Sequence, residues 1–524
     1  MPTLDWIGKS KVVNHHLDVP YRVLERKYSY DAEGQHAEDN GSENMIIHGD
    51  NLEALKSLLP KYEGKIKCIY IDPPYNTGNE NWVYNDNVND PRIKAWLNKV
   101  VGKEGEDLSR HDKWLCMMYP RLRLLQKLLS DDGAIFISID DTEFSNLRFI
   151  CDEIFSNFVE AIVWQKRTSP DARKKLSSGH EYVLVYSKSQ DQDLSLNLLP
   201  LEGKDLEAYT NPDNDPRGPW ISSPYTAPGY RPNQMYSITT PSGKIVNPPK
   251  GRCWCNVEDV YQRLLSEGRM WFGADGNGVP RRKTYLYERE GRGTWTWWTN
   301  AEVGYTQLAT EEVSQILGKA TFDYPKPTKL IQRVINLSST NNSLILDSFA
   351  GSGTTAHAVL NLNKADGGNR KFILIEMDDY ADSITAERIK RVIHGYGEGK
   401  KAVEGTGGDF SFYELGVPIF NGDELNETAG KEEIRKYIWY TETRQDLQPQ
   451  SETEPYLLGI HYDTAYYFCY EPGKLTSLNY EFLNTVKTRT ESYVIYADRC
   501  FISDDQLDRW HITFKKIPRD IRRV

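Results

Sequence analysis

Residues 344–359, LILDSFAGSGTTAHAV, place a short apolar strand, a glycine-rich turn and the start of a helix in immediate succession. Gly351 and Gly353 allow the backbone to approach a ligand closely, because glycine has no side chain and adopts positive φ without strain. A helix that begins at Thr354 or Thr355 directs free backbone N–H groups at a carboxylate or phosphate. The stretch therefore predicts an α/β protein with a ligand site at the end of this strand.

The sequence that follows narrows the kind of ligand. About twenty residues on, FILIEMDDY delivers Glu376 from the next strand, where a carboxylate can chelate the two hydroxyls of a ribose. No lysine follows the last glycine, so the turn is not a phosphate-binding P-loop, and its spacing is not the dinucleotide G-x-G-x-x-G. The order of elements predicts a nucleoside site that needs no pyrophosphate. A tight strand-to-helix connection with an exposed glutamate is the alternative.

Strand and helix signals also alternate upstream of this stretch. Apolar runs of strand type are followed by runs with helical spacing: NMIIHGD (44–50), NLEALKSLLPKY (51–62, with Asn51 as N-cap), IKCIYID (66–72), a helix closed by Gly133 (114–133), AIFISID (134–140), a helix from about Thr142 to Ile154, and EYVLVYSK (181–188). This repetition predicts a parallel, doubly wound α/β sheet.

The stretch CIYIDPPYNTGNE, Cys68 to Glu80, runs one of these strands into an acidic turn. The strand must stop at Asp72, because each proline removes a backbone donor and fixes φ. Asp72, the carbonyl of Pro73 and the ring of Tyr75 are thereby held close together, and Pro74 offers no N–H. Such a cluster suits a flat molecule with an amino group. An ordinary strand-ending turn is the alternative.

Charge and composition bear on possible partners. The 524 residues are 39% hydrophobic and 27% charged, which is ordinary for a globular protein but too long for one compact core. The net charge of −11 argues against a basic surface, although DNA binding needs only local patches. Basic and aromatic residues alternate in segments 164–175 and 280–298. These segments supply candidate DNA contacts, with a solvated charged face as the alternative: Lys166, Arg167, Arg281, Arg282 and Lys283.

Further features favour a cytoplasmic protein without a metal centre. No apolar run approaches the roughly 20 residues of a membrane span, and the N-terminus lacks the order of a signal peptide. The seven cysteines are scattered, and the close pair Cys253 and Cys255 has no second pair to complete a zinc site, which favours reduced structural thiols. For the pair His15 and His16, a structural or DNA-adjacent role is favoured over a metal site.

Changes in periodicity predict the domain boundaries. From about Asp191 to Thr321, glycine, proline, tryptophan and tyrosine dominate, which predicts a turn-rich insert, and the aromatic content favours a folded module. The helix TKLIQRVINLSS (328–339) resumes the α/β pattern, and a glycine-rich boundary near residue 400 ends it. The predicted units are an N-terminal arm (1–44), two halves of the core (45–190 and 322–400), the insert (191–321) and a small α+β C-terminal domain (401–524).

Taken together, DPPY (72–75) and FAGSG (349–353) resemble motifs of the amino-methyltransferases of DNA. Their order, with DPPY first and the glycine turn far downstream, is similar to that of β-class adenine-N6 DNA methyltransferases. Further segments resemble motifs of the modification (Mod) subunits of type III restriction-modification systems: IHGDNLEALKSL, DDGAIFISIDD, HEYVLVYSK and YPKPTKLIQRVI. The resemblance covers the chain from its N-terminus to about Tyr396 and extends more loosely into the tail.

The resemblance implies a permuted Rossmann-like sheet that transfers a methyl group from S-adenosyl-L-methionine to the N6 amine of a flipped adenine. Residues 45–190 and 322–400 would be its catalytic and cofactor halves. The base would be held by Asp72, Pro73, Pro74 and Tyr75. The residues implied at the cofactor are Asp50, for which helix capping is the alternative, and Lys326, Asp347, Phe349, Ala350, Gly351, Ser352, Gly353, Thr354 and Glu376.

The resemblance also implies partners. It predicts double-stranded DNA as substrate, a homodimer, the insert as target-recognition region and the tail as an interaction domain. Because no G-x-x-x-x-G-K-[ST] occurs in the chain, DNA cleavage would require a separate restriction subunit. Three alternatives stay open: cytosine-N4 methylation, which Asp72 disfavours because the cytosine enzymes more often carry serine there, a DNA-binding regulatory module with an inactive core, and an RNA substrate.

Overall fold

The chain folds into two compact units. The structure is a computed structural model that describes residues 3–77, 95, 99–100, 109–155, 157–188, 196–319, 321–447 and 453–523. The larger unit comprises residues 1–197 and 295–524, and the smaller unit comprises residues 198–294.

One sheet organises the larger unit. Its described strands are β1 (Arg22–Asp31), β2 (Gly34–His36), β3 (Met45–His48), β4 (Ile66–Ile71), β5 (Leu129–Ile139), β6 (Asn157–Gln165), β7 (His180–Ser187), β8 (Trp297–Trp298), β9 (Leu344–Asp347), β10 (Lys371–Glu376) and β11 (Phe410–Pro418). Their order is β8-β6-β7-β5-β4-β9-β10-β3-β11-β1-β2. The six central strands, β5 to β11 in that order, are parallel, whereas β7 and β1 are antiparallel to their neighbours in this central set. The predicted doubly wound α/β sheet is confirmed in its parallel centre.

The direction of winding reverses between β4 and β9. These strands are neighbours, with Ile69 beside Leu346, although the insert separates them in the chain. From β4 the chain continues to β5 on one side, and from β9 it continues to β10 on the other. Open α/β sheets bind ligands outside the carboxyl ends of their strands at such a reversal. The DPPY turn and the glycine turn therefore open at the same place.

Helices cover the sheet and connect its strands. The longer ones are α1 (Asn51–Tyr62), α2 (Arg110–Leu128), α3 (Phe144–Ile154), α4 (Thr306–Leu317), α5 (Thr328–Ser338), α6 (Thr354–Asp366), α7 (Glu387–His394) and α8 (Lys431–Thr443). No helix in the described part of the chain combines the length and apolar character that a bilayer span requires.

Two predicted helix boundaries are wrong. The helix α2 ends at Leu128 instead of Gly133, because β5 begins at Leu129 and includes the glycine. The N-cap of α1 is Asp50 instead of Asn51, since Asp50 Oδ1 accepts the backbone N–H of Leu52 at 2.9 Å. Asn51 is the first helical residue, and its Nδ2 donates to the carbonyl of Ser348 at 3.1 Å. This bond ties α1 to the turn after β9.

Both ends of the chain contribute to the larger unit. The predicted N-terminal arm supplies β1 and β2, and the predicted C-terminal domain supplies β11 to the same sheet. Trp439 of α8 packs in one hydrophobic core with Leu55 of α1. The tail adds a four-stranded sheet of Leu457–His461, Thr464–Phe468, Ser492–Ala497 and Ile512–Lys516. The boundaries predicted near residues 44 and 401 thus differ from the divisions of the structure.

The smaller unit has a core of its own. Its buried residues include Tyr225, Trp254 and Tyr261, the last of which belongs to the helix Glu258–Ser266. A three-stranded sheet contains Met270–Trp271, Arg281–Tyr285 and Trp220–Pro224. This unit is shorter than the predicted insert of residues 191–321, because β8 and α4 belong to the larger unit.

Candidate active site

The turns after β4 and β9 line a single cavity of about 340 Å³. The sequence-predicted residues on its wall are Asp72, Pro73, Tyr75, Lys166, Arg167, Lys326, Asp347, Phe349, Ala350, Gly351, Ser352 and Thr354. The predicted residues Asp50, Pro74, Gly353 and Glu376 are not among its described lining residues. The structure therefore brings the acid of the DPPY turn and the glycine turn to one space.

Asp72 directly follows β4, and both of its carboxylate oxygens accept hydrogen bonds. Tyr75 Oη donates to Oδ1 at 2.8 Å, and Lys326 Nζ donates to Oδ2 at 2.6 Å. Burial raises the pKa of Asp72 above its ordinary value, although the Lys326 cation opposes this shift. Lys326 thus ion-pairs with the predicted catalytic acid on the wall of the shared cavity, and its contact with the cofactor stays a prediction.

A second carboxylate, Glu181 of β7, shares these donors. Its Oε2 accepts a 3.1 Å hydrogen bond from Tyr75 Oη and lies 3.7 Å from Lys326 Nζ. Its Oε1 accepts from Lys166 Nζ at 2.8 Å. Burial favours the neutral acid, but the two lysines together lower the pKa of Glu181 below its ordinary value.

The contacts of Lys166 contradict its predicted role at DNA. Its side chain is mostly buried and ion-paired with Glu181 on the cavity wall, so it is not a surface cation available to phosphate. The neighbouring Arg167 is exposed and also lines the cavity. Of these two predicted DNA contacts, Lys166 is therefore mostly buried and Arg167 is exposed.

The DPPY turn is fixed from behind by α2. The indole N–H of Trp114 donates to the carbonyl of Pro74 at 2.7 Å, and Trp114 is fully buried. Asn76 has a φ of 60° and donates from Nδ2 to the carbonyl of Arg110 at 3.2 Å. The two prolines fix φ, and these bonds hold the following backbone, so the turn is stiff.

The glycine turn places backbone directly against the cavity. Gly351 and Gly353 have φ values of 51° and 80°, which side chains rarely adopt. A Cβ on Gly351 would lie 3.2 Å from Cζ of Phe322, which also lines the cavity. The helix α6 begins at Thr354, within the predicted range, so its first N–H groups lie beside the turn.

A buried arginine supports this turn. Arg388 of α7 donates from Nη1 to Ser352 Oγ at 2.8 Å and to Thr354 Oγ1 at 2.9 Å. Its Nη2 lies 3.3 Å from Glu312 Oε2. Ser352 and Thr354 are thus held by a network beneath the cavity wall.

Asp347 and Glu376 are buried acids on either side of the turn. Burial raises the pKa of Asp347 to about 7 and that of Glu376 to about 8. Asp347 Oδ2 accepts from Thr355 Oγ1 at 2.5 Å, and Glu376 Oε2 accepts the backbone N–H of Gly351 at 2.7 Å. Glu376 therefore holds the glycine turn in place, whereas the predicted ribose contact would require its carboxylate at the cavity wall.

Asp50 has the capping role that was the alternative to a cofactor contact. Its Oδ1 accepts the backbone N–H groups of Leu52 and Glu53, and its Oδ2 lies 3.4 Å from Arg121 Nη2. These bonds fix the start of α1 behind the glycine turn.

The three predicted DNA contacts of the smaller unit differ in exposure. Lys283 is buried and ion-pairs with Asp213 and, at 2.9 Å, with Asp215, which contradicts its predicted role. Arg281 donates to the side chain and carbonyl of Ser222 at 2.7 and 2.8 Å. Arg282, on the other face of the strand, is exposed. Only Arg282 presents an exposed side chain to solvent among these three residues.

The histidine pair and the cysteines lie apart from this cavity. His16 is buried, and burial lowers its pKa to about 4. The seven cysteines are free thiols, and Cys253 is buried in the smaller unit. Among the residues that the structure describes, no group of three or more histidine, cysteine or acidic side chains is arranged to hold a metal ion.

Several residues of the site were missed from the sequence. Glu181 carries only a weak signal, an acid at the start of an otherwise apolar strand. Trp114, Phe322 and Arg388 carry none, because a buried aromatic ring or an arginine within a helix has many ordinary explanations. Their roles depend on which elements become neighbours.

Comparison with known proteins identifies a family. A family profile described as DNA methylase matches residues 66–387, which include both turns of the cavity. The type III restriction-modification enzyme StyLTI Mod subunit of Salmonella typhimurium is 38% identical over 394 residues, covering 68% of this chain and 58% of that protein. The EcoP15I Mod subunit of Escherichia coli is 31% identical over 444 residues, covering 75% and 66%.

A shorter relative matches over most of its own length. The type II methyltransferase M.KpnI of Klebsiella pneumoniae is 34% identical over 361 residues, covering 64% of this chain and 81% of that protein. The matched part of this chain spans less than two thirds of the length of the two Mod subunits.

Proposed function

This chain belongs to the DNA methylase family, and from that premise we propose that it is a site-specific DNA methyltransferase that methylates the N6 amine of a flipped adenine with S-adenosyl-L-methionine. One observation carries the proposal: Asp72 of the DPPY turn and Gly351 of the glycine turn line the same cavity. Transfer of a methyl group requires donor and acceptor to approach in line within about 3–3.5 Å, so both must share one space.

The glycine turn suits this cofactor. Gly351 leaves the backbone uncovered where a Cβ would lie 3.2 Å from Phe322, and α6 begins beside it. The first backbone N–H groups of a helix lack intrahelical partners and suit a negatively charged ligand group. The residues proposed to hold the cofactor are those of the turn that line the cavity, from Phe349 to Ser352, with Thr354. When bound, S-adenosyl-L-methionine supplies a methyl group that its sulfonium has already activated.

The DPPY turn would orient the target amine. The amine of adenine is a poor nucleophile because its lone pair is delocalised into the ring. Asp72 and the carbonyl of Pro73 accept its two N–H bonds, which localises the lone pair and directs it towards the methyl group. The carbonyl of Pro74 has a different task, because it accepts the Trp114 indole. Tyr75 stacks on the base, which offsets part of the few kcal/mol that extrusion from the duplex costs.

The proposal includes partners and a location. The Mod relatives are named as subunits of type III enzymes, which supports double-stranded DNA as substrate and a separate restriction subunit for cleavage. We propose a homodimer in which residues 198–294 read the target sequence and residues from about 401 contribute to assembly. The enzyme would act in the cytoplasm, where it meets DNA.

Mass spectrometry of nucleosides tests the reaction directly. Purified protein is incubated with DNA and S-adenosyl-L-methionine that carries a deuterated methyl group, with Asp72→Asn as the control. We expect labelled N6-methyladenine from the wild type and none from the control. Labelled N4-methylcytosine would show that the target base is cytosine instead of adenine. Folded protein that binds the cofactor but labels no base would overturn it.

A further inference from the structure

Asp72 is already engaged by the chain's own donors. Methyl transfer as proposed needs an oxygen of Asp72 to accept a bond from the target amine. Yet Tyr75 Oη lies 2.8 Å from Asp72 Oδ1, and Lys326 Nζ lies 2.6 Å from Asp72 Oδ2. An amine that enters this space therefore competes with these two donors for the carboxylate, and the Lys326 cation is the stronger competitor.

Displacement of Lys326 alone would be costly. Its side chain is only 10% exposed, and a buried cation that loses its anion is strongly destabilised. A second acceptor for the same donors removes most of this penalty. Glu181 meets that requirement, because its Oε2 lies 3.1 Å from Tyr75 Oη and 3.7 Å from Lys326 Nζ.

Glu181 is held ready for this exchange by its other oxygen. Lys166 Nζ donates to Oε1 at 2.8 Å and leaves Oε2 directed at Tyr75 and Lys326. The two lysines also lower the pKa of Glu181, whereas burial raises that of Asp72. The Glu181 carboxylate is therefore ionised and can serve as an anionic partner for Lys326.

We infer that Glu181 is a positioning residue that takes the Tyr75 hydroxyl and the Lys326 ammonium from Asp72 when the target amine enters the cavity. Lys326 moves by about an ångström between two carboxylates and never loses an anionic partner. An oxygen of Asp72 is thereby released to accept the amine. This inference rests on the proposed function and adds a residue and a step to it.

The test measures what the target amine contributes to binding, not turnover. Two duplexes are compared, one with adenine at the methylated position and one with a purine that lacks the 6-amino group. Their affinities are measured by fluorescence anisotropy with S-adenosylhomocysteine in place of the methyl donor. In the wild type we expect adenine to bind about tenfold more tightly, as for a hydrogen bond to a charged acceptor. The two duplexes differ in the cost of base extrusion. This difference cancels when the affinity ratios of two variants are compared, because each variant is tested on the same two duplexes.

Glu181→Gln should abolish this preference. Glutamine keeps the shape of the side chain but cannot neutralise Lys326. Lys326 therefore stays ion-paired with Asp72, and the target amine adds nothing to the affinity for DNA. The affinity ratio should fall about tenfold relative to that of the wild type. In the double variant Glu181→Gln/Lys326→Gln the competing cation is gone, and the ratio should return towards that of the wild type. A merely structural role for Glu181 predicts no such recovery.

Glu442→Gln is the matched control. Glu442 is also a buried carboxylate between a lysine and a tyrosine, since it accepts from Lys515 Nζ at 2.6 Å and from Tyr496 Oη at 2.7 Å. Its side chain is 6% exposed, against 10% for Glu181. This variant should keep the adenine preference of the wild type.

The outcomes separate this inference from the proposed function. If the wild type methylates adenine and Glu181→Gln keeps the tenfold preference, the inference is wrong and the proposed function stands. Equal loss in Glu181→Gln and Glu442→Gln, or no recovery in the double variant, would also overturn it. A wild type that neither methylates DNA nor prefers adenine would overturn both.

Discussion

Burial and neighbouring cations give the acids around the cavity different pKa values. Glu181 has a lowered pKa because the Lys326 and Lys166 cations outweigh its burial. For Asp347 and Glu376 burial is the largest effect, and it raises their pKa values to about 7 and about 8. At neutral pH Glu181 is therefore ionised, Asp347 is about half protonated and Glu376 largely holds its proton.

The raised pKa of Asp347 predicts a pH-dependent cost to folding. Between an unfolded value near 3.8 and a folded value of about 7, the folded chain keeps a proton that the unfolded chain has lost. The free energy of unfolding therefore falls as pH rises through this window and levels off above pH 7. Asp347→Asn removes this titration, while its amide can still bond Thr355 and the backbone N–H of Phe349.

Urea unfolding at pH 4.5, 6 and 8 checks this expectation. Relative to the wild type, Asp347→Asn should gain stability between pH 4.5 and pH 8, by up to roughly 4 kcal/mol for a shift of this size. A stability difference that does not change with pH would show that Asp347 ionises normally in the fold.

Among the elements, the strand Arg281–Tyr285 separates structural cations from exposed ones. Its alternation buries Lys283 between Asp213 and Asp215 and exposes Arg282. Removal of one member of a buried ion pair costs about 3–5 kcal/mol. Lys283→Met should therefore lower the melting temperature of the purified protein, which scanning calorimetry would measure. An unchanged melting temperature would contradict the ion-pair assignment.

Arg282→Ser should weaken DNA binding without lowering thermal stability. We expect unchanged thermal stability, weaker DNA binding across all sequences, and a slope of log affinity against log salt that is smaller by about one. Titration of a labelled duplex at several salt concentrations gives both quantities. An unaltered slope would remove Arg282 from the DNA contacts.

The two ends of helix α6 offer a matched pair of glycines. Gly351 precedes the helix at the cavity wall, and Gly367 follows it with a φ of 69° and open space where a Cβ would lie. Alanine at either position should cost about 1–2 kcal/mol of stability, because both backbones are left-handed. Only Gly351→Ala should also weaken S-adenosyl-L-methionine binding, by about tenfold or more, since its Cβ displaces Phe322. Calorimetric titration with S-adenosyl-L-methionine distinguishes the two variants. Equal affinities would show that the glycine turn does not contribute to the cofactor site.

At the scale of the whole molecule, the sequence was informative wherever the chemistry is local. Prolines after Asp72 and glycines before Thr354 predict their own turns, and strand periodicity predicts the parallel centre of the sheet. The contacts of Lys326 were not predictable in this way, because they depend on β7 lying antiparallel beside β5 and bringing Glu181 to Asp72. The burial of Lys283 likewise depends on acids about seventy residues earlier in the chain.

The proposed function requires that the cavity shared by Asp72 and the glycine turn methylates adenine in DNA. Single-molecule sequencing of DNA from cells that express the wild type or Asp72→Ala is the decisive test. We expect N6-methyladenine at one recurring sequence with the wild type and at none with the variant. Unmodified DNA in cells that contain folded wild-type protein, or equal methylation by Asp72→Ala, would contradict this function.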